Sequence, residues 1–183
     1  MDGPISVREA TLADLDRILD VHAKARTAYY RAGGLALEAA PNPETERDRR
    51  TGWTSAIQGP DQRAVCAVAD GDIVGIAAMG PPLSPEVDAG TASQLYQIQV
   101  RPDSWGRGVG GILHATFVRY LEDAALPAGL LEVWERNTRA RAFYARHGWR
   151  PDGGFRPGPD DANYICLRLE SATLLPPREH AAT

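Results

Sequence analysis

The segment Ile98-Gln99-Val100-Arg101-Pro102-Asp103-Ser104-Trp105-Gly106-Arg107-Gly108-Val109-Gly110 limits what this chain can fold into more than any other. An apolar strand closes at Val100, Pro102 interrupts any ladder, a glycine-rich turn follows, and an amphipathic helix opens at Gly110. That helix places Ile112, Leu113, Phe117, Tyr120, Leu121 and Ala124 on its buried side. A strand that feeds a helix through such a turn leaves unpaired N–H groups and the positive end of the helix dipole together. Without a Cβ, Gly106, Gly108 and Gly110 let an anion approach the backbone closely. The turn reads as a phosphate cradle.

Several architectures use such a cradle, and spacing separates them. A P-loop ends in Gly-Lys-Ser or Gly-Lys-Thr, whereas Gly110-Gly111-Ile112 stands here, so that reading fails. Gly106-x-Gly108-x-x-Gly111 satisfies the letters of the dinucleotide fingerprint, with Glu132 downstream. That fingerprint should leave its strand directly, and Arg101 to Trp105 intervene. A glycine-rich turn with no ligand is the plain alternative.

The remaining chain supplies the frame. Ile5-Ser6-Val7-Arg8 alternates as a first strand, and Thr11-Leu12-Ala13-Asp14 reads as a capping box for a helix running toward Tyr29 and ending at Gly33-Gly34. A Pro-Asn-Pro break at 41–43 precedes a charged helix over 44–58. Two apolar runs, 63–69 and 73–79, are split by Asp70-Gly71-Asp72, a hairpin signal. Residues 80–92 read as a loop, 95–100 as a strand, 130–134 as a buried strand, and 138–147 as a helix capped by Gly148. Strands over 149–156 and 163–169 close the domain. The pattern predicts one mixed α/β (α+β) domain over residues 1–170 and a flexible tail over 171–183.

Val100-Arg101-Pro102, then Gly108-x-Gly110, resembles the acyl-coenzyme A loop of the GNAT N-acetyltransferases, with Trp105 where that family carries Gln or Arg. Downstream, Asn137 at a strand end, Tyr144 seven residues later, and Gly148-Trp149 resemble its second motif. The element order agrees with that superfamily from Ile5 to Leu169. The resemblance implies a central, mostly antiparallel sheet of about seven strands flanked by about four helices. It also implies acetyl-coenzyme A as co-substrate, and an amine acceptor that is a small molecule, a protein N-terminus or a lysine. Ile98, Gln99 and Val100 are implied along the pantetheine arm, on a strand that bulges or splays in this family. Gly106, Arg107, Gly108, Val109, Gly110 and Gly111 are implied at the pyrophosphate. Asn137 is implied on the pantetheine arm, or else it only caps the next helix.

The chemistry sets its own demands. An amine attacking a thioester must shed a proton, hold its line of attack, and have the developing oxyanion stabilised and the leaving thiolate protonated. A phenol with a pKa near 10 can protonate a thiolate with a parent pKa of about 8.5. By resemblance Tyr144 takes that role; the alternative is an aromatic packed beside Phe143. Glu132, between Leu131 and Val133, matches an acid that some relatives use as general base, and a structural ion pair competes with that role. Water or His22 are the substitutes. Gln97 and Gln99 cannot accept a proton usefully. His22, Arg26, Tyr29, Tyr30 and Trp53 are candidates to line an acceptor pocket, and Glu86 and Asp88 to attract a cationic amine; packing and solvation compete with each.

Composition removes other classes. A net charge of −4 with no basic run argues against nucleic acid. Cys66 and Cys166 read as buried free thiols, which favours direct transfer over an acyl-cysteine route. The histidines show no metal-ligand spacing, no Gly-x-Ser-x-Gly elbow is present, and no apolar run approaches a membrane span. No metal, no membrane, a cytoplasmic setting and an open question of homodimer formation follow as expectations. A non-catalytic acyl-coenzyme A sensor or scaffold of the same fold is the rival from another class.

Overall fold

Strand-forming runs and helix caps alternate along the chain, and the computed structural model arranges them around one sheet. It describes residues 3–35 and 43–171. The strands are β1 Ser6–Glu9, β2 Arg63–Ala69, β3 Asp72–Gly80, β4 Ala92–Val100, β5 Ala128–Trp134, β6 Arg150–Pro157 and β7 Asn163–Glu170. The helices are α1 Leu15–Ala32, α2 Pro43–Gln58, α3 Val109–Asp123 and α4 Thr138–Arg146. The sheet order is β1-β2-β3-β4-β5-β7-β6, antiparallel except between β4 and β5, which α3 connects as a crossover. This is the expected mixed α/β fold.

Each face of the sheet buries a separate core. Val109, Leu113, Phe117 and Leu121 of α3, with Tyr144 of α4, pack on Val65, Ala77, Leu95, Leu131 and Val133. On the opposite face Ile18 and Val21 of α1 and Trp53 of α2 pack on Cys66, Ile73 and Ile76. Gly129 lets α3 come down onto β5, because a Cβ there would stand 2.8 Å from the Phe117 ring.

Two irregularities position the site. In β4, Gln97 pairs with Ala78 and Leu95 with Met79, so one extra residue, Tyr96, bulges out of register. β4 then pairs with β5 only from Ala92 to Gln94, opposite Ala128 to Leu130. Beyond Gln94 the two parallel strands part. At the far end Tyr30 of α1 and Trp134 of β5 pack as a separate aromatic cluster, rings 4.9 Å apart.

The boundaries differ from expectation in instructive places. β4 starts at Ala92 rather than 95, because Ala92, Ser93 and Gln94 are buried and pair with Ala128 to Leu130 of β5, Gln94 also with Gly80 of β3. β5 likewise starts at Ala128, beneath Phe117. The Thr11–Asp14 box opens a 3₁₀ turn, Leu12–Asp14, that runs into α1. Residues 41–42 of the Pro-Asn-Pro break lie outside the described residues, as does the predicted tail beyond Ser171. Ser171 is itself buried and donates its N–H to the Pro127 carbonyl at 2.8 Å.

Candidate active site

The predicted phosphate cradle is a matter of backbone geometry. After β4 the Arg101 N–H donates to the Val74 carbonyl, and Pro102–Ser104 forms a 3₁₀ turn. Gly106 and Gly108 follow at φ +79° and +83°, a region that glycine enters without penalty. Gly108 is the N-cap of α3, and the first α-helical bond runs from the Ile112 N–H to the Gly108 carbonyl at 3.1 Å. The N–H groups of Val109, Gly110 and Gly111 precede that bond and have no intrahelical acceptor. No side chain caps them, and no acidic residue stands in the first turn. The positive end of the helix dipole is thus left to an outside anion.

The parting of β4 and β5 extends this cradle into a cleft of about 470 Å³. Ile98, Gln99 and Val100 line it from β4; Gly106, Gly108, Val109, Gly110 and Gly111 from the turn; Asn137 and Tyr144 from the α4 side. The structure therefore brings together nearly all the residues that the sequence singled out for a coenzyme. Arg107, exposed on the turn, and Glu132 do not line it.

Of the residues singled out for an acceptor pocket, Tyr29 of α1 lines this cleft. Other lining residues escaped the sequence reading: Ala25 and Ala32 of α1, and Arg139, Ala140, Phe143 and Arg146 of α4. The α4 set was there to be found: Arg139, Phe143 and Arg146 recur at i, i+4 and i+7, one face of a helix. Trp105, in the slot of a polar residue, turns its indole N–H to the Val100 carbonyl at 2.9 Å. The Arg139 guanidinium lies over that indole, 4.1 Å from the ring centroid.

Tyr144 is buried, and its hydroxyl has no hydrogen-bond partner among the described residues. Burial raises its pKa well above that of an ordinary phenol, so the group keeps its proton through neutral pH. Asn137 caps α4, its side-chain oxygen accepting the Ala140 N–H at 3.1 Å, and it also faces the cleft.

The remaining candidates fall elsewhere. The Glu132 carboxylate pairs with Arg156 Nε at 2.6 Å, the ion-pair alternative rather than a carboxylate standing alone among apolar neighbours. His22 accepts the Trp53 indole N–H on Nδ1 at 2.9 Å, which uses the one lone pair of a neutral imidazole. Burial, with Arg49 and Arg26 nearby, pushes its pKa down to about 4. Trp53 and Tyr30 are core residues, not pocket walls, and Arg26 lies over the Tyr30 ring. Glu86 and Asp88 are solvated, Asp88 closing a turn onto the Gly90 N–H. Cys66 is buried and burial pushes its thiol up to about 11, whereas Cys166 is only half-buried, a correction to the expectation for that residue. Neither thiol lines the cleft.

Among the described residues no cluster of three His, Cys, Asp or Glu side chains is placed to hold a metal, and no helix is long and apolar enough to cross a membrane.

Comparison with known proteins agrees with this geometry. The family model of the acetyltransferase (GNAT) family matches residues 22–149. Among solved structures, a GCN5-related N-acetyltransferase from Kribbella flavida is 26% identical, with a TM-score of 0.69 over 91% of this chain and 97% of that one. The ribosomal-protein-S18-alanine N-acetyltransferase from Escherichia coli is 20% identical, with a TM-score of 0.68 over 91% and 94%. PaiA N-acetyltransferase from Thermoplasma acidophilum, solved in complex with coenzyme A, is 14% identical, with a TM-score of 0.68 over 91% and 99%. No curated protein matches the chain.

Proposed function

Because the chain belongs to the GNAT acetyltransferase family, we propose that it transfers the acetyl group of acetyl-coenzyme A directly to a primary amine. One observation carries the reading: an uncapped helix start and an unpartnered phenol open onto the same cleft where two parallel strands part.

The residues present fit the coenzyme. Three orphan N–H groups and the α3 dipole suit a pyrophosphate, and Arg139 and Arg146 add positive charge at the cleft. Past Gln94, β4 offers backbone donors and acceptors toward β5 that no strand there uses, which suits an amide-bearing pantetheine arm. When bound, the coenzyme supplies the acetyl group as an activated thioester. The chain's own work is to exclude water along the cleft, to align the acyl carbon with the amine, and to offer N–H groups of β4 to the negative charge that develops on oxygen. Tyr144, held protonated by burial, donates a proton to the leaving sulfur. The amine's proton leaves to water, because Glu132 is engaged with Arg156 and the His22 lone pair with Trp53. Neither thiol faces the cleft, which favours a ternary complex over an acyl-cysteine.

The test is calorimetric titration with acetyl-coenzyme A, coenzyme A and NAD, joined to a mass-spectrometric screen of small amines and peptides. Micromolar binding of the coenzymes but not NAD, with acetylated product, is the expected result. Tight binding without any product would favour the sensor or scaffold, and absence of binding would overturn both.

A further inference from the structure

Arg26 of α1 and Arg49 of α2 each lie one turn from the point where the two helices are bonded, and neither has an ion-pair partner among the described residues. His22, Arg26, Tyr29 and Tyr30 lie along one side of α1 at i, i+4, i+7 and i+8, and Arg49 and Trp53 lie one turn apart on α2. The bond from the Trp53 indole to His22 Nδ1 pins the two helices at this point. Arg26 is half-buried with its guanidinium 4.7 Å from the Tyr30 ring centroid. Arg49 is also half-buried, and its Nε is shut away from solvent with no hydrogen-bond partner. Neither arginine makes an ion pair among the described residues, whereas the next residue, Arg50, pairs with Asp16 at 2.8 Å.

This arrangement is costly unless something completes it. A buried N–H left unpaired has lost its hydration with nothing in exchange, and two like charges repel more strongly where water is partly excluded. The repulsion registers on Arg49, whose pKa is lowered by burial and by Arg26 against a weaker opposing pull from Glu46. The cluster also adjoins the reaction path. Tyr29 lines the cleft, its ring lies 4.4 Å from that of Tyr30, and it feels the charge of Arg26. Two guanidinium forks offer planar, paired donors of the kind that clasp a carboxylate.

We propose that Arg26 and Arg49 form an anion subsite for the acceptor, which is a small primary amine carrying a carboxylate or similar anionic group. The proposal rests on the N-acetyl transfer reading and adds the class of amine. An anion held between the two guanidinium groups offsets the repulsion between them.

Matched pairs test it: glycine against glycinamide, leucine against leucinamide, glutamate against glutamine, each as acceptor with saturating acetyl-coenzyme A. The acids are expected to show KM values about tenfold below those of the amides, the scale of a charge-assisted contact. R26Q and R49Q should each remove that preference without changing the Kd of coenzyme A, and R26K should restore part of it. If Arg49→Gln fails to fold, as a melt would show, R26Q and R26K carry the comparison. Equal KM values for acid and amide, or Gln variants that raise both alike, would overturn the subsite while leaving N-acetyl transfer standing. A second measurement needs no turnover: coenzyme A-loaded protein is titrated with N-acetylglycine, N-acetylleucine and their carboxamides. Preferred binding of the acids, lost in R26Q, supports the subsite even if no amine is acetylated. No preference overturns it.

Discussion

The Trp105 indole N–H donates to the carbonyl oxygen of Val100, 2.9 Å away, and so ties the glycine-rich turn back to the last residue of β4. The same ring carries the Arg139 guanidinium over its face. The aromatic that breaks the family's Gln/Arg pattern thus spends its only donor on the protein and presents a neighbour's charge instead. Trp105→Ala removes both functions, and loss of the cation–π platform and of one hydrogen bond should weaken coenzyme A binding by about tenfold. Trp105→Phe keeps the platform and should weaken it by only about threefold. Calorimetry on the two variants separates stacking from the hydrogen bond; equal losses would show that the platform contributes nothing.

Gly108 and Gly71 share a φ of +83° and have open space where a Cβ would stand, but only Gly108 faces the cleft. Alanine at either position meets the left-handed penalty of about 1–2 kcal/mol, and both variants should lose similar stability in chemical denaturation. Gly108→Glu, in addition, sets a carboxylate at the helix start and should abolish coenzyme A binding, whereas Gly71→Glu should bind as the parent does. Retained binding in Gly108→Glu would remove the turn from the coenzyme site.

Tyr144 is the one phenol in the cleft that lies on α4, and among the described residues no other group holds its hydroxyl. Tyr144→Phe removes the proton donor and little packing, so kcat should fall by about 10²–10⁴-fold with the Kd of coenzyme A unchanged. Because burial raises the phenol's pKa, its proton stays on through pH 10. The parent kcat profile should therefore show no alkaline fall from this group below that pH. An unchanged kcat in the variant would return Tyr144 to a packing role.

What the sequence disclosed and what it hid divide by distance along the chain. The turn from Gly106 to Gly111 and the run from Asn137 to Trp149 are local: spacing, punctuation and helix periodicity fix them, and the structure brings the turn and the residues from Asn137 to Arg146 to one cleft. The onset of β4 at Ala92 was hidden because small residues in a Pro-rich stretch carry no alternation, and only their pairing with Gly80 and Ala128 makes them a strand. The Tyr96 bulge and the parting of β4 from β5 are properties of register, which one strand's residues do not encode. The Trp53–His22 bond joins helices whose packing no local pattern announces. Glu132 was legible as an acid on β5, but its partner Arg156 comes from β6, on the far side of β7.

That ion pair makes Glu132 a test of the proton path. Its carboxylate lies outside the cleft and is held by Arg156, whose guanidinium stacks 4.0 Å from the Tyr164 ring centroid. Glu132→Gln should cost about 0.5–1 kcal/mol of stability, as partly exposed pairs do. It should leave kcat within about threefold and the acid limb of the pH–rate profile in place. A fall in kcat of about 10²-fold together with loss of that limb would make Glu132 the general base after all.

Asp14 is the carboxylate expected to set the acid limit of the fold. Its carboxylate accepts two bonds from Arg8, at 2.7 and 2.8 Å, and also the N–H and hydroxyl of Thr11, joining β1 to the turn that opens α1. The Arg8 guanidinium and the Thr11 donors, outweighing burial, hold the carboxyl far below the usual carboxylate range. A group that is a stronger acid folded than unfolded takes up a proton first in the unfolded chain. Its contribution is therefore complete above the unfolded pKa of about 4 and drains away as pH falls below it. Asp14→Asn should lose about 1–3 kcal/mol at pH 7, since Arg8 is left without its partner and one acceptor becomes a donor beside the Thr11 N–H. The decisive reading is the slope. Between pH 4 and pH 2 the parent's unfolding free energy should fall more steeply than the variant's, and parallel curves would show that Asp14 does not set the acid limit.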